Sequence, residues 1–71
     1  MREMSPAEKL VELLGSNADV ARKFKITREA VRQWMERGIP EDRALDVEEL
    51  TRGCISAYDI LKHRKKLRAA A

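Results

Sequence analysis

Apolar residues recur at helical spacing along most of the chain, and well-marked stop signals separate the segments in which they do so. The sequence contains no run of alternating apolar and polar residues of the kind that predicts a half-buried strand. It also contains no internal repeat and no low-complexity linker. The pattern predicts an all-α protein, folded as a compact bundle of five short helices.

The first predicted helix has a strong start signal. Ser5 is placed to cap it, with Pro6 at the first helical position and Glu8 three residues after the cap. Gly15 supplies the stop. The inner face follows the spacing i, i+3, i+4, i+7 and consists of Ala7, Leu10, Val11 and Leu14.

Two short helices are predicted next, and a tight turn joins them. The second helix is capped by Ser16 or Asn17 and ends near Lys25, and the third is capped by Thr27 and ends at Gly38. Their apolar faces are Val20, Ala21 and Phe24 in the second helix, and Ala30, Val31 and Trp34 in the third.

A fourth helix is predicted from Pro40 to about Arg52, because the Ile39-Pro40 step is extended and proline suits the start of a helix. Gly53 is expected to end it. Its apolar positions are Ala44, Leu45, Val47 and Leu50.

The last helix is predicted to begin at a cap formed by Ser56 with Asp59, after Cys54 and Ile55 cross the surface of the core. Lys62 to Ala71 continues it and frays at the end. Its apolar residues are Tyr58, Ile60 and Leu61.

The length of 71 residues allows a single domain. We expect this domain to span residues 1–61, with a basic and partly helical C-terminal extension over residues 62–71. A core of this size supplies only about 3 to 5 kcal/mol, so we expect the fold to rely on well-capped helices or on self-association.

Charge is distributed unevenly along the chain, although the net charge is only +3. Residues 17–38 and 60–71 are basic, and residues 39–59 between them are acidic. Basic zones confined to particular elements are typical of proteins that bind a polyanion, whereas the simpler alternative is a solvated surface.

Residues 17–34 have the pattern of a helix-turn-helix. Ala21 is the small residue that allows two helices to approach, and Phe24 and Ile26 bracket the turn. The apolar residues that fix the pair to the rest of the core are Val20, Val31 and Trp34.

Taken together, residues 13–16 (LLGS), 21–34 (ARKFKITREAVRQW) and 38–53 (GIPEDRALDVEELTRG) resemble the small all-helical Cro-type repressors of lambdoid phages and prophages. The join from Trp34 to Pro40 is the more discriminating part. The resemblance implies a lambda-repressor-like DNA-binding fold and a homodimer that binds a near-palindromic operator and blocks transcription. It also implies a protein of the bacterial cytoplasm, associated with the nucleoid.

Two features depart from the family pattern. Many members have glycine at the turn position where this chain has Lys25, and a non-glycine residue there costs about 1 kcal/mol of strain. The basic end of the chain is also unusual. It is either an arm that follows the DNA backbone or a solubilising helix end.

The N-terminal residues of a recognition helix point at base edges in the major groove. The predicted base-reading residues are Thr27, Arg28, Glu29, Arg32 and Gln33. Arginine pairs with guanine, glutamine with adenine, and glutamate accepts from cytosine. The alternative is that Glu29 and Arg32 only pair with each other along the helix.

Contacts to the DNA backbone are expected from helix starts and from outward-facing cations. The predicted residues are Ser16, Asn17, Arg22, Lys23, Lys25 and Arg37. The acidic fourth helix should face away from DNA. The dimer contact is expected to come from Leu45 and Leu50, or from Ile55, Tyr58 and Ile60.

Other classes of site lack support in the sequence. No catalytic residues, metal ligands or cofactors are predicted, so we expect no enzyme and no small-molecule substrate. Cys54 is expected to be a small buried packing group in a reducing, intracellular setting, and His63 a solvated side chain. No leader or membrane span is expected.

Two further functions compete with a repressor. One is a protein-interaction module such as an antitoxin, whose acidic fourth helix docks on a basic partner. The other is a phage transcriptional activator of the same fold, which fold alone does not distinguish from a repressor.

Overall fold

The computed structural model describes residues 4–70, and the elements within this range are all helical. They are α1 (Pro6–Leu14), α2 (Asn17–Phe24), α3 (Arg28–Arg37), a 3-10 turn (Glu41–Arg43), α4 (Ala44–Leu50) and α5 (Ala57–Ala70). The predicted all-α bundle of five helices is confirmed.

The predicted starts of the first three helices are confirmed in detail. The Ser5 hydroxyl accepts from the Glu8 amide at 3.2 Å and caps α1. Ser16, rather than Asn17, caps α2. Thr27 caps α3, where its hydroxyl accepts from the backbone amide three residues later at 3.1 Å. These caps satisfy amides that have no partner within the helix, so they fix where each helix begins.

The fourth helix is shorter than predicted. A 3-10 turn replaces its first turn, and α4 ends at Leu50 rather than near Arg52. The Thr51 hydroxyl donates to the Val47 carbonyl at 2.8 Å and accepts from the Ile55 amide at 3.2 Å, which turns the chain. Arg52, at φ 52°, has a left-handed backbone that an α-helix does not accommodate.

Several apolar residues of the last two helices, and Cys54 between them, lie at the surface. Ala44 and Val47 bury the single inner face of α4, so Leu45, next to Ala44 in sequence, points outward. Cys54 is exposed, and the prediction that it is a buried packing group is wrong. The core position at this turn is taken instead by Ile55. The other apolar side chains that the prediction placed on these two helices and that are exposed are Leu50, Tyr58 and Leu61.

One core joins all five helices. Its buried residues are Ala7, Leu10, Val20, Ala21, Val31, Trp34, Ile39, Ala44, Val47, Ile55 and Ile60. The ring of Phe24 packs edge-on against Trp34 with centroids 5.5 Å apart, which ties α2 to α3. The middle of α5 packs on the end of α3, where the Arg64 guanidinium donates to the Ile39 carbonyl at 3.3 Å.

Candidate nucleic-acid interface

A three-residue turn joins α2 to α3 and sets how the two helices meet. Its first residue, Lys25, has φ 55° and ψ 46°, the left-handed conformation expected at this position. The Ile26 amide then donates to the Ala21 carbonyl at 2.9 Å and closes the turn. Thr27 follows and caps α3, so a short segment of chain ends one helix and starts the next.

The inner sides of α2 and α3 are apolar, which leaves a polar outer side. Ala21, Val31 and Trp34 are buried between these helices and the rest of the core. Every side chain on the outer face of α3 is polar. The exposed residues of α3 are Arg28, Glu29, Arg32, Gln33, Glu36 and Arg37. The predicted base-reading residues therefore lie on one exposed face, next to the Thr27 cap.

Arg28 and Gln33 are the predicted base-reading residues in the helical part of this face that are free to bind a ligand. Neither makes a hydrogen bond or an ion pair with another residue in the part of the chain that the structure describes. Arg28 occupies the first position of α3, where backbone amides also point outward. The pair thus presents a guanidinium and an amide to solvent.

Arg32 is engaged by two carboxylates of its own helix. It donates through two nitrogens to the Glu29 carboxylate, and its Nη1 donates to Glu36 Oε1 at 2.9 Å. The hydrogen bonds from Arg32, together with its positive charge, lower the pKa of Glu29. The hydrogen bonds to Glu29, together with the negative charges of Glu29 and Glu36, raise the pKa of Arg32. The pairing of Glu29 with Arg32 that the sequence left open is therefore present in the structure.

Glu36 is the residue of this face that sequence reasoning missed. The signal for it was the i, i+4 spacing from Arg32, which places the two side chains one above the other on a helix. Its carboxylate puts negative charge near the middle of the outer face. Any polyanion that approaches Arg32 must compete with Glu36 as well as with Glu29.

The predicted backbone-contact residues fall into two groups. At the start of α2, the Ser16 hydroxyl donates to Asp19 Oδ2 at 2.9 Å, and Arg22 pairs with the same carboxylate at 3.5 Å. These two residues are thus already bonded, while the exposed side chain of Asn17 beside them makes no hydrogen bond to another described residue.

The second group of cations carries no ion pair. Lys23 and Lys25 lie at the end of α2 and in the turn, and Arg37 lies at the end of α3. All three are exposed and have no partner among residues 4–70. Arg28 and Arg37 are about 14 Å apart along the axis of α3, so the free cations are spread along the unit.

The basic extension continues α5 as a regular helix as far as residue 70. It runs past the end of α3, where the side chains of His63, Arg64 and Leu67 close over Gly38. Beyond this contact, Arg68 lines a shallow groove together with Arg37 of α3. The structure therefore places part of the C-terminal positive charge beside the end of α3.

Other kinds of site receive no support from the structure. No cluster of potential metal ligands is found within the described range. None of the helices that the structure describes is both long enough and apolar enough to cross a membrane.

Comparison with known proteins places the chain in a family. Residues 7–64 match the model of a family described as bacterial toxin YdaS, and this segment runs from α1 well into α5. The chain belongs to this family. The finding supports a small helical protein of phage or prophage type, which is the coarser part of the resemblance drawn from the sequence. No curated protein and no solved structure gave a significant match.

Proposed function

We propose that this member of the YdaS family is a sequence-specific DNA-binding regulator of transcription, which acts as a dimeric repressor on a palindromic operator in the bacterial cytoplasm. The observation that carries the proposal is the outer face of α3, where Arg28 and Gln33 stand unbonded next to the Thr27 cap. The proposal involves no catalysis, no cofactor and no small-molecule substrate.

In this proposal α3 enters the major groove, whose width admits a helix. Arg28 donates two hydrogen bonds to guanine O6 and N7, and Gln33 pairs with adenine N6 and N7. The Thr27 hydroxyl accepts within the cap, so its proton is free to donate to a base or to a phosphate. Glu29 and Arg32 contact bases only after the ion pair between them opens. Glu29 then accepts from cytosine, and Arg32 donates to guanine.

The phosphate backbone is held by the free cations and by a helix start. Lys23, Lys25 and Arg37 neutralise phosphates, and Asn17 donates to one at the start of α2. Arg22 also contacts a phosphate once its ion pair with Asp19 breaks. Each phosphate neutralised adds about 0.9 to the slope of log affinity against log salt, so three cations give a steep salt dependence.

The test begins with selection of binding sites from a random duplex pool, followed by anisotropy titration of the enriched site. We expect one palindrome with half-sites about one helical turn apart. Arg28→Gln is expected to weaken binding to this site by about 5- to 150-fold and to relax the preference at one base pair. Gln33→Ala should do the same at a different base pair.

Lys9→Gln is the matched control for Arg28→Gln, because it also removes one exposed positive charge but lies on α1. We expect it to leave base preference unchanged. Recovery of no enriched site, or equal effects of Arg28→Gln and Lys9→Gln on base preference, would contradict sequence-specific recognition. A promoter reporter with the operator placed over the promoter then decides between repressor and activator.

The description of the family favours a second candidate, a toxin or an antitoxin-like module that binds a protein. The acidic side chains of the 3-10 turn and of α4 are its natural docking surface, since they lie outside the α2–α3 unit. The two candidates are distinguished by measuring bacterial growth while the protein is overproduced. If the protein arrests growth by binding DNA, the double variant Arg28→Gln with Gln33→Ala abolishes the arrest. If the protein arrests growth by binding another protein, the same double variant still arrests growth.

A further inference from the structure

The surface formed by α4 and α5 exposes four large apolar side chains. Leu45 is 66% exposed, Tyr58 71%, and Leu50 and Leu61 40% each. Two of them lie on α5 at i and i+3, so they share one side of that helix. Large apolar side chains grouped on a surface mark a site of association more often than isolated ones do.

Two contacts show how α4 lies against α5. At the end of α4, the Glu48 carboxylate accepts from the Ala57 amide at 3.1 Å. At the other end, Glu41 of the 3-10 turn lines a groove with Leu61 and Arg64. The helices are therefore antiparallel, and Leu45, three residues before Glu48, falls beside the turn of α5 that contains Leu61. Leu45, Tyr58 and Leu61 form a ridge, which we call the α4–α5 ridge.

The charges on the two sides of the α4–α5 ridge are opposite. The 3-10 turn and α4 contribute acidic side chains to one side, and α5 contributes basic side chains to the other. The acidic residues are Asp42, Asp46 and Glu49, and the exposed basic residues of α5 are Lys62, Lys65, Lys66 and Arg68, with Asp59 as an exposed acidic residue in its first turn. Glu41 lines the groove between the two helices together with Lys65 and Arg68. Such a surface is complementary to itself, because a two-fold axis through the ridge lays the acidic side of one copy on the basic side of the other.

We propose that the α4–α5 ridge is the interface with a second copy of this chain. The apolar side chains of the ridge meet across the two-fold axis, and the acidic and basic flanks pair around them, as in interfaces with an apolar centre and a polar rim. The outer face of α3 stays exposed in such a dimer. The inference rests on the proposed function, since a palindromic operator is bound by two copies of α3, one in each half-site.

The experiment is sedimentation equilibrium of the free protein over a range of concentrations, without DNA. The unchanged chain is expected to dimerise. Leu45→Ser combined with Tyr58→Ser should raise the dimer dissociation constant by at least about tenfold, because aromatic and aliphatic side chains at the centre of an interface carry most of its affinity. Leu13→Ser is the matched control, since Leu13 is also exposed, at 54%, but lies on α1. Its effect should stay below about twofold.

The role of charge is tested by Lys65→Glu, with Glu12→Lys as its control, a charge reversal of the same size at an exposed position of α1. Lys65→Glu is expected to weaken the dimer by about three- to tenfold and Glu12→Lys to change it by less than about twofold. Tyr58→Ser alone keeps the test decisive if the double variant does not fold, since so exposed a side chain contributes little to the fold. A chain that is monomeric at all concentrations, or a dimer that none of the ridge variants weakens, overturns the proposal.

Failure of the dimer and failure of DNA binding are distinguishable. A duplex with a single half-site binds a monomer, so the ridge variants should bind it as well as the unchanged chain does. Loss of binding to the full palindrome with retained half-site binding supports the ridge. Absence of DNA binding in a chain that still dimerises through the ridge refutes the proposed function alone.

Discussion

The unit of α2 and α3 buries its apolar side chains, whereas the unit of α4 and α5 leaves several of its own in solvent. In the first unit Val20, Val31 and Trp34 lie in the core, and the outer face is entirely polar. In the second unit the large side chains Leu45 and Tyr58 point outward. The difference indicates two surfaces of different chemistry, a charged one suited to a polyanion and an apolar one suited to a protein.

The largest effect is expected from a comparison of one aromatic residue in each unit, Trp34 in α3 and Tyr58 in α5. Trp34→Ala removes a side chain that is buried and packed against Phe24, so it should lower the free energy of unfolding by about 3 to 5 kcal/mol. A core of this size supplies little more than that, and the variant should be largely unfolded. Tyr58→Ala removes an exposed ring and should change the monomer by less than about 0.5 kcal/mol.

Urea unfolding followed by circular dichroism measures both variants. It is done at a concentration low enough to keep the chain monomeric, because dimer formation would add apparent stability to the unchanged chain. Equal losses for Trp34→Ala and Tyr58→Ala would remove the distinction between the two units.

The next effect concerns the contact between α3 and α5 at Gly38. This residue has φ 90° and ψ 161°, a region that essentially only glycine adopts. A Cβ there would lie 3.1 Å from Arg64 Cγ and 3.3 Å from Leu67 Cδ1. Gly38→Ala should therefore cost about 2 to 4 kcal/mol, through both backbone strain and crowding.

Gly53→Ala is the control for the crowding at Gly38. Gly53 also has a positive φ, of 82°, but a Cβ there meets no atom within 4 Å. Its substitution should cost only the strain, about 1 to 2 kcal/mol by urea unfolding. If the two variants lose equal stability, α5 does not press on the end of α3.

The helix starts and the α2–α3 unit were more predictable from the sequence than the α4–α5 unit. Helix starts at Ser5, Ser16 and Thr27 were predictable because a capping side chain acts within three residues of itself. The burial of Val31 and Trp34 followed from helical spacing, since the unit has one clear apolar side.

The α4–α5 unit was predicted less well, because its structure depends on contacts between distant residues. Hydrogen bonds of the Thr51 side chain set the end of α4. Leu45 is exposed because so short a helix buries only a few of its residues. Neither is visible in local spacing. In the candidate site, helical spacing predicted which side of α3 is exposed and offered the pairing of Arg32 with Glu29 as one alternative, but it did not identify the second partner, Glu36 at i+4.

A smaller effect is expected in the turn that links α2 to α3. Lys25 holds a left-handed backbone conformation at a cost of about 1 to 2 kcal/mol, which Lys25→Gly removes while it adds about 0.5 to 1 kcal/mol of chain entropy to the unfolded state. The net expectation is a gain of about 0.5 kcal/mol in urea unfolding. Lys25→Ala keeps the strain and loses only the charge, so it should show no gain.

The same two variants test whether Lys25 contacts a phosphate. If it does, both should reduce the slope of log affinity against log salt by about 0.9 relative to the unchanged chain. Equal DNA binding by all three proteins would remove Lys25 from the proposed interface. The turn would then carry a strained lysine for no reason that this structure shows.

The smallest effect is the titration of Glu29. Hydrogen bonds from Arg32 hold the pKa of Glu29 below its ordinary value of 4.5, so the pair stabilises the helix above that value and loses this contribution as pH falls through the lowered pKa. Carbon-detected NMR of the side-chain carboxyl is expected to give a midpoint below 4.5 in the unchanged chain. In Arg32→Gln the midpoint should move back toward 4.5, whereas Arg43→Gln, which removes a cation from a different ion pair, should leave it in place. An unchanged midpoint in Arg32→Gln would mean that Arg32 is free in solution, and α3 would then offer DNA three unengaged arginines, Arg28, Arg32 and Arg37, instead of two.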